Sequence, residues 1–143
     1  MALIKRRGVD ESLPKNDRGY ADFNDFDYRL RPKNARTTMT LAGSDPYQDE
    51  LRAIVADANP AELETAISPR SQADEGKDSP IPVRLFLGRR VSGIVGSVPR
   101  GFESVIDENL RRIDDAGQKV RIPVRIDQKG GSYRVVVLLG KIR

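Results

Sequence analysis

The residues of this chain that could do chemistry are arginines and lysines on strand-like segments and carboxylates on a helix-like segment. The sequence contains neither histidine nor cysteine, which removes imidazole and thiolate as metal ligands and general bases. Catalysis would have to rest on carboxylates, lysine or serine. No phosphate-cradling glycine loop and no nucleophile elbow is present. The pattern therefore predicts a protein that is not an enzyme and that holds no metal and no cofactor.

The carboxylates lie on one arc of an amphipathic segment that runs from Phe102 to Ala116. The charged members of this arc are Glu103, Asp107, Glu108, Arg111, Arg112, Asp114 and Asp115. Paired carboxylates can act as general acid and base, but only where burial or coupling shifts a pKa. Here basic residues follow acidic ones at a spacing of four, which stabilises an exposed helix. We therefore predict a solvated helix face that ends at Gly117.

The cations lie on segments in which every second residue is apolar. Residues 120–126 and 133–139 alternate in this way around a turn at 128–131, which predicts an antiparallel hairpin. Residues 81–87 form a third such strand, with Val83, Leu85 and Leu87 facing a core and Arg84 and Phe86 facing outward. We expect Phe86 to be covered by a helix.

The outward side of these strands is basic, and two interpretations of it stay open. A basic strand face with an aromatic residue can contact the phosphates and bases of nucleic acid. Charged outer positions also keep an antiparallel sheet soluble without any ligand. The candidate nucleic-acid contacts are Arg84, Arg89, Arg90, Arg100, Lys119, Arg121, Arg125 and Arg134.

Length and charge are compatible with such a binding protein. A chain of 143 residues suits one domain. Its formal net charge of +4 favours acidic partners such as nucleic acid, although acidic residues dilute the basic ones. No apolar run approaches the length of a membrane span, and the basic start of the chain is not followed by a signal-like apolar stretch. We expect a cytoplasmic protein, or a virion component if it belongs to a particle.

The first thirty-six residues differ from the rest because they show no period that could bury a face. We treat residues 1–36 as an extended N-terminal arm and residues 37–143 as the folded domain. Half of the aromatic residues of the chain lie in the arm, as Tyr20, Phe23, Phe26 and Tyr28. Aromatic side chains supply much of the area in protein interfaces. These four residues either dock on a protein partner or fold back onto the domain.

Capping and turn signals place the remaining elements. A strand is predicted over 37–41, and Asp45, Pro46 and Gln48 predict the start of a helix in which Asp45 is the cap. Asn59 and Pro60 predict a second, short helix that carries Leu63, Ala66 and Ile67. Residues 68–80 predict a mobile surface loop. A further strand runs from Val91 to Pro99, with glycines at 93 and 96 that mark a bulge or a close backbone approach.

The order of these segments resembles the HIRAN domain over residues 37–143. The resemblance depends on the helix start Asp45-Pro46-Tyr47-Gln48 and on Val95-Gly96-Ser97-Val98-Pro99-Arg100 before the second helix. It implies an α+β fold, a small antiparallel β-barrel related to the oligonucleotide-binding barrel, with two or three helices. It also implies a non-enzymatic accessory that recognises DNA ends and stalled forks. The Asn-Pro-Tyr-Asp loop of the family is absent, and Gly88-Arg89-Arg90 stands in its place.

Two functions follow from the sequence. In the first, the chain is a non-catalytic HIRAN-like module that contacts nucleic acid through its basic strand face. In the second, it is a structural or interaction protein of a larger assembly, such as a viral particle, and its aromatic arm clasps a neighbouring subunit. The sequence does not set the oligomeric state.

Overall fold

The computed structural model describes residues 12–57, 63–67, 70–88, 90–117 and 121–142 as an α+β fold. A six-stranded antiparallel sheet carries three helices. The strands are β1 Met39–Thr40, β2 Leu63–Thr65, β3 Pro82–Leu87, β4 Arg90–Ser97, β5 Ile122–Lys129 and β6 Ser132–Val137. The helices are α1 Gln48–Asp57, α2 Gln72–Gly76 and α3 Glu103–Asp115.

The sheet curls until its two edges touch. Its strand order is β1-β6-β5-β2-β3-β4, so β1 and β4 lie at opposite edges. Just beyond β1, Ala42 forms an antiparallel bridge with Ser97 at the end of β4, with both backbone hydrogen bonds at 2.8 Å. A sheet that curls in this way leaves less of its edges open to other chains. The coarse prediction of a small, curled antiparallel sheet is confirmed.

The strongly periodic segments form the core that the sequence predicts. Val83 and Leu85 of β3, Ile122 and Val124 of β5, and Val135 and Val137 of β6 are all at most 3% exposed. Helix α3 adds Val105, Ile106 and Leu110 to the same core. At thirteen residues α3 is the longest helix described, and none of the described helices is long and apolar enough to cross a bilayer.

The start of α1 is held by side chains that bond to the sheet. Ser44 donates its hydroxyl to the carbonyl of Val95 at 2.8 Å. The Gln48 amide donates to the Tyr133 carbonyl at 3.0 Å and accepts from the Tyr133 N–H at 2.7 Å. The prediction that Asp45 caps this helix is wrong, because Ser44 precedes the first turn and Asp45 forms an ion pair with Arg134 instead.

Two further sequence predictions need correction. The described part of the predicted second helix is a strand instead: Leu63–Thr65 forms β2, which pairs with both β3 and β5. Residues 58–62 lie outside the described part of the chain. Thr65 donates its hydroxyl to the Arg84 carbonyl at 2.7 Å, which suits a central strand. The predicted loop 68–80 contains helix α2, capped by Ser71, and residues 68–69 are not described.

The N-terminal arm is not extended where the structure describes it. Residues 12–36 fold back in short 3-10 turns at Lys15–Asp17 and Phe23–Asp25. Tyr20 pairs with Thr40 through two backbone hydrogen bonds, at 2.8 and 3.0 Å. Phe26 is 5% exposed and belongs to the core. Of the two alternatives for the arm aromatics, folding back is therefore realised for Phe26.

The contact that brings the sheet edges together leads to a stability prediction at Gly96. A Cβ there would lie 2.9 Å from the Ala42 carbonyl oxygen and 2.9 Å from the Ser44 hydroxyl. We expect Gly96→Ala to lower the free energy of unfolding by about 1–3 kcal/mol, because overpacking forces the backbone apart. Denaturant unfolding monitored by circular dichroism measures the change.

Gly93→Ala is the matched control in the same strand. Its Cβ would meet no atom closer than 3.9 Å. Equal destabilisation by the two substitutions would contradict the prediction.

Candidate nucleic-acid interface

A groove of about 330 Å³ lies on the outer side of the sheet, beneath the folded-back arm. Its lining comes from the arm segment 15–20, from the β1 strand and its approach, and from β5 and β6. The lining residues are Lys15, Asn16, Gly19, Tyr20, Thr38, Thr40, Arg125, Asp127, Lys129, Arg134 and Val136. Four of these side chains carry positive charge and one carries negative charge, so the groove can attract an anionic ligand.

Strand register positions the floor of this groove. Val136 of β6 lies opposite both Arg125 of β5 and Thr40 of β1. Tyr20 continues the same row through its bridge to Thr40. The row therefore carries a cation at one end and an aromatic ring at the other, and Tyr20 is 66% exposed. An exposed ring next to cations can stack on a base while the cations contact phosphates.

Arg125 and Lys129 are exposed at this groove, as the sequence predicts for Arg125. The Arg125 guanidinium lies 2.9 Å from the Asp127 carboxylate, and its side chain stays 54% exposed. An exposed ion pair of this kind is worth little. Arg125 can therefore exchange Asp127 for a phosphate at small cost.

Arg134 is not the exposed phosphate contact that its outward strand position predicts. It is 7% exposed, because the arm lies over it. Its guanidinium donates to Asp17 at 2.6 Å and to Asp45 at 2.8 Å. Two carboxylates thus neutralise Arg134 inside the protein, and it borders the groove without being free for a ligand.

A second basic patch lies on the outer face of β2, β3 and the start of β5. The Arg121 guanidinium stacks over the Phe86 ring at 4.2 Å from its centroid and lies 3.7 Å from Glu64. Exposed Arg84 belongs to the same face of β3. Phe86 is thus covered by a cation and not by the helix that we expected. A half-exposed cation–π pair of this kind contributes about 0.5–1 kcal/mol.

The other predicted cations do not join either patch. Arg90 is exposed at the start of β4, on the rim of a smaller groove beside α1. Arg100 is engaged by Glu103 and Asp78, each at 2.8 Å. Arg89 and Lys119 lie outside the described residues. The structure therefore divides the predicted contacts into exposed cations on the sheet and cations that neutralise internal carboxylates.

The predicted partner-binding aromatics also divide into buried and exposed members. Phe26 is buried, and Phe23 stacks on Phe102 with ring centroids 4.2 Å apart. Phe23 nevertheless remains 53% exposed, and Tyr28 is 87% exposed. Tyr28 lies in a tight turn beside Asp27. The pKa of Asp27 lies below its ordinary value, because its carboxylate accepts hydrogen bonds from the backbone N–H of Arg31 and, with a smaller effect, from that of Arg29.

The solvated face predicted for α3 is confirmed for Glu108, Asp114 and Asp115, which are exposed, and the predicted pair of Glu108 with Arg112 is present at 3.8 Å. It is wrong for Glu103 and Asp107. Asp107 is 0% and Glu103 is 2% exposed. Asp107 accepts from the Arg70 backbone N–H at 2.8 Å and from its guanidinium at 2.7 Å. Arg111 pairs with Glu75 at 2.8 Å instead of with Asp107. These contacts fasten the segment 70–79 onto α3.

Arginine pKa values follow these contacts. Burial by itself lowers the pKa of Arg70, but the hydrogen bond and charge of Asp107, helped by Glu103 and Asp78, outweigh it and raise the pKa above its ordinary value. The hydrogen bond that Arg111 donates to Glu75 raises the pKa of Arg111. Both guanidiniums are therefore held in the charged form, and this arrangement suits a structural clamp better than proton transfer.

Sequence reasoning missed Lys15, Asp17, Arg70 and Lys129. Lys129 continues the outward register of Arg125, so the alternation of β5 contained its signal. Lys15, Asp17 and Arg70 lie in segments without periodicity. Asp17 and Arg70 are placed by contacts with residues distant in sequence, such as Asp17 with Ser44, 27 positions away, and Arg70 with Asp107, 37 positions away.

Comparison of this chain with protein-family models, curated proteins and solved structures found no match. Within the described ranges, no three histidine, cysteine, aspartate or glutamate side chains converge so as to hold a metal ion.

The buried Arg70–Asp107 pair leads to the second prediction. Asp107→Asn should lower the free energy of unfolding by about 3–5 kcal/mol, because it leaves the Arg70 charge buried without its partner. Thermal or denaturant unfolding measures the loss.

Asp114→Asn on the exposed side of α3 is the control for the same chemical change. A loss no larger than that of the control would show that the pair is not the clamp described here.

Proposed function

We propose that this chain is a non-catalytic, HIRAN-like binding module whose outer sheet face contacts the phosphate backbone of nucleic acid. The observation that carries the proposal is the groove, which is lined by Lys15, Arg125 and Lys129 together with the exposed Tyr20. Cations supply most of the affinity for nucleic acid, and an aromatic ring accepts any base. The module would therefore bind with little sequence preference.

The Arg121 patch extends this surface along the same strand. Arg121 directly precedes β5 and Arg125 lies within it, four residues further on, and both side chains are exposed. At roughly 3.3 Å per residue, they are separated by about 13 Å. One strand of a duplex covers that span with about four nucleotides, at about 3.4 Å per phosphate along the axis. One backbone can therefore reach both patches.

The HIRAN-like part of the proposal is supported by the contact between the two segments that carry the resemblance. Gly96 of the Val95–Arg100 segment packs directly on Ala42 and Ser44, just before the Asp45–Gln48 segment. These residues are engaged in joining the sheet edges, so they act as scaffold. The exposed cations that we assign to binding lie elsewhere on the barrel, which accords with the replacement of the family loop by Gly88-Arg89-Arg90.

Salt-dependent binding of an oligonucleotide tests the proposal. Fluorescence anisotropy with a labelled single strand and with a forked duplex gives the affinity over a range of salt concentrations. Arg121→Ala/Arg125→Ala should weaken binding on every sequence and reduce the slope of log K against log salt by about 2, since each lost phosphate contact removes about 1.

Arg52→Ala/Lys77→Ala is the charge-matched control, because both side chains are exposed but lie on α1 and after α2. If the control lowers the slope as much as the strand variant, only net charge matters and the interface is wrong. If the wild-type protein does not bind either probe, the proposed function is wrong.

A second candidate is a structural or interaction protein that binds a protein partner through its arm. The observation that favours it is the exposure of Phe23 and Tyr28, because large exposed aromatic residues are typical of interface hot spots. The arm of such a protein need not leave the barrel. The exposed rings can dock while Phe26 stays in the core.

Point variants test this candidate better than deletion of the arm, which would also remove the core residue Phe26. A pull-down after nuclease treatment should recover a protein partner with the wild type and lose it with Phe23→Ala/Tyr28→Ala. Val55→Ala, which changes an exposed apolar residue on α1, should retain the partner. Recovery that is unchanged in the aromatic variant, or abolished by nuclease, would contradict this candidate.

A further inference from the structure

The groove has two walls of different origin. The sheet supplies Arg125, Lys129 and the floor, and the arm supplies Lys15 and Tyr20. Without the arm, the outer face of β5 and β6 would be an open sheet surface. The depth of the groove, and two of its candidate ligand contacts, therefore depend on what holds segment 12–20 against the barrel.

The carboxylate of Asp17 makes the buried side-chain contacts that hold this segment. Asp17 is 1% exposed. It accepts hydrogen bonds from the N–H of Ser44 at 2.7 Å, from the N–H of Asp45 at 3.2 Å and from Arg134 at 2.6 Å. Its own carbonyl accepts from the N–H of Gly43 at 2.8 Å.

The successive N–H groups of Ser44 and Asp45 form a concave nest around the carboxylate, while the N–H of Gly43 bonds to the backbone carbonyl of Asp17. Gly43 has a φ of 70° and Ser44 is in the right-handed helical region, which is the alternation that turns consecutive N–H groups toward one anion. A carboxylate in such a nest, opposite a guanidinium, receives the strongest class of protein hydrogen bond. Asp17 therefore fixes the turn Lys15–Asp17 in place.

Lys15 and Tyr20 have weaker attachments of their own. Lys15 is exposed, and the Tyr20 hydroxyl donates to Asp22 at 3.5 Å in an exposed position. The backbone bridge between Tyr20 and Thr40 adds one residue pair at the edge of the sheet and does not continue as a strand.

From these contacts we infer that Asp17 is a positioning residue for ligand binding, and that it makes the arm one wall of the nucleic-acid interface. The inference rests on the proposed function, because it assigns Lys15 to a phosphate and Tyr20 to a base. It also carries a counterintuitive consequence. Removal of the negative charge of Asp17 makes the protein more basic, yet it should weaken binding to an anion.

The test compares Asp17→Asn with Lys15→Ala and Tyr20→Ala in the anisotropy assay. Lys15→Ala should reduce the salt slope by about 1, and Tyr20→Ala should weaken binding at least about fivefold. Asp17→Asn should produce both effects. Adding Lys15→Ala to Asp17→Asn should cause no further drop in slope, because the lysine is already displaced.

Asp49→Asn is the control for the change in charge, because Asp49 is 97% exposed on α1 and forms an exposed pair with Arg52. It should leave binding unchanged or strengthen it slightly. A purely structural role of Asp17 would lower thermal stability without changing the salt slope of the folded fraction, and that result would overturn the inference.

Lys15→Ala keeps the inference falsifiable if Asp17→Asn does not fold, since Lys15 is exposed. An unchanged salt slope in Lys15→Ala would by itself overturn the inference. Wild-type binding that persists in that case would leave the proposed function standing on the sheet cations alone. Failure of the wild type to bind would instead overturn the proposed function.

Discussion

The buried ion pair between Asp17 and Arg134 is the constraint on which the arrangement of this protein depends. It joins the arm, the entry to α1 and the β6 strand at one point, because Asp17 also accepts from the backbone of residues 44 and 45. Burying charges costs several kcal/mol per ion unless pairing and hydrogen bonds compensate. In the described part of the chain no buried side-chain nitrogen or oxygen lacks a partner, so the compensation is complete there.

A second buried ion pair also attaches a polar segment to the rest of the fold. Arg70 and Asp107 attach the segment 70–79 to α3, as Asp17 and Arg134 attach the segment 12–20 to the sheet. Both segments are poor in apolar residues, so they cannot offset the entropy of ordering by burying hydrophobic area. Charged hydrogen bonds replace that contribution, which explains why polar segments can lie ordered on this barrel.

The sequence was sufficient for elements with a long, clear period and insufficient for what covers them. The alternation in β3, β5 and β6 and the apolar stripe of α3 predicted the core correctly, because period determines which face is apolar. Strand β2 was missed, since three residues are too short to show alternation. The pattern also predicts that Arg134 and Asp107 are exposed. Both are buried, because residues 117 and 37 positions away in sequence cover them. No local pattern contains that information.

The difference between covered and exposed cations also decides how the charge of the chain can serve binding. A formal net charge of +4 suggests a weak general attraction to anions, but Arg70, Arg100 and Arg134 are engaged by internal carboxylates. The cations that remain exposed on the outer strand face, such as Arg84, Arg121 and Arg125, are the ones that a phosphate can reach. Because phosphate contacts carry no sequence information, a face built from them favours recognition of a nucleic acid by its charge and shape.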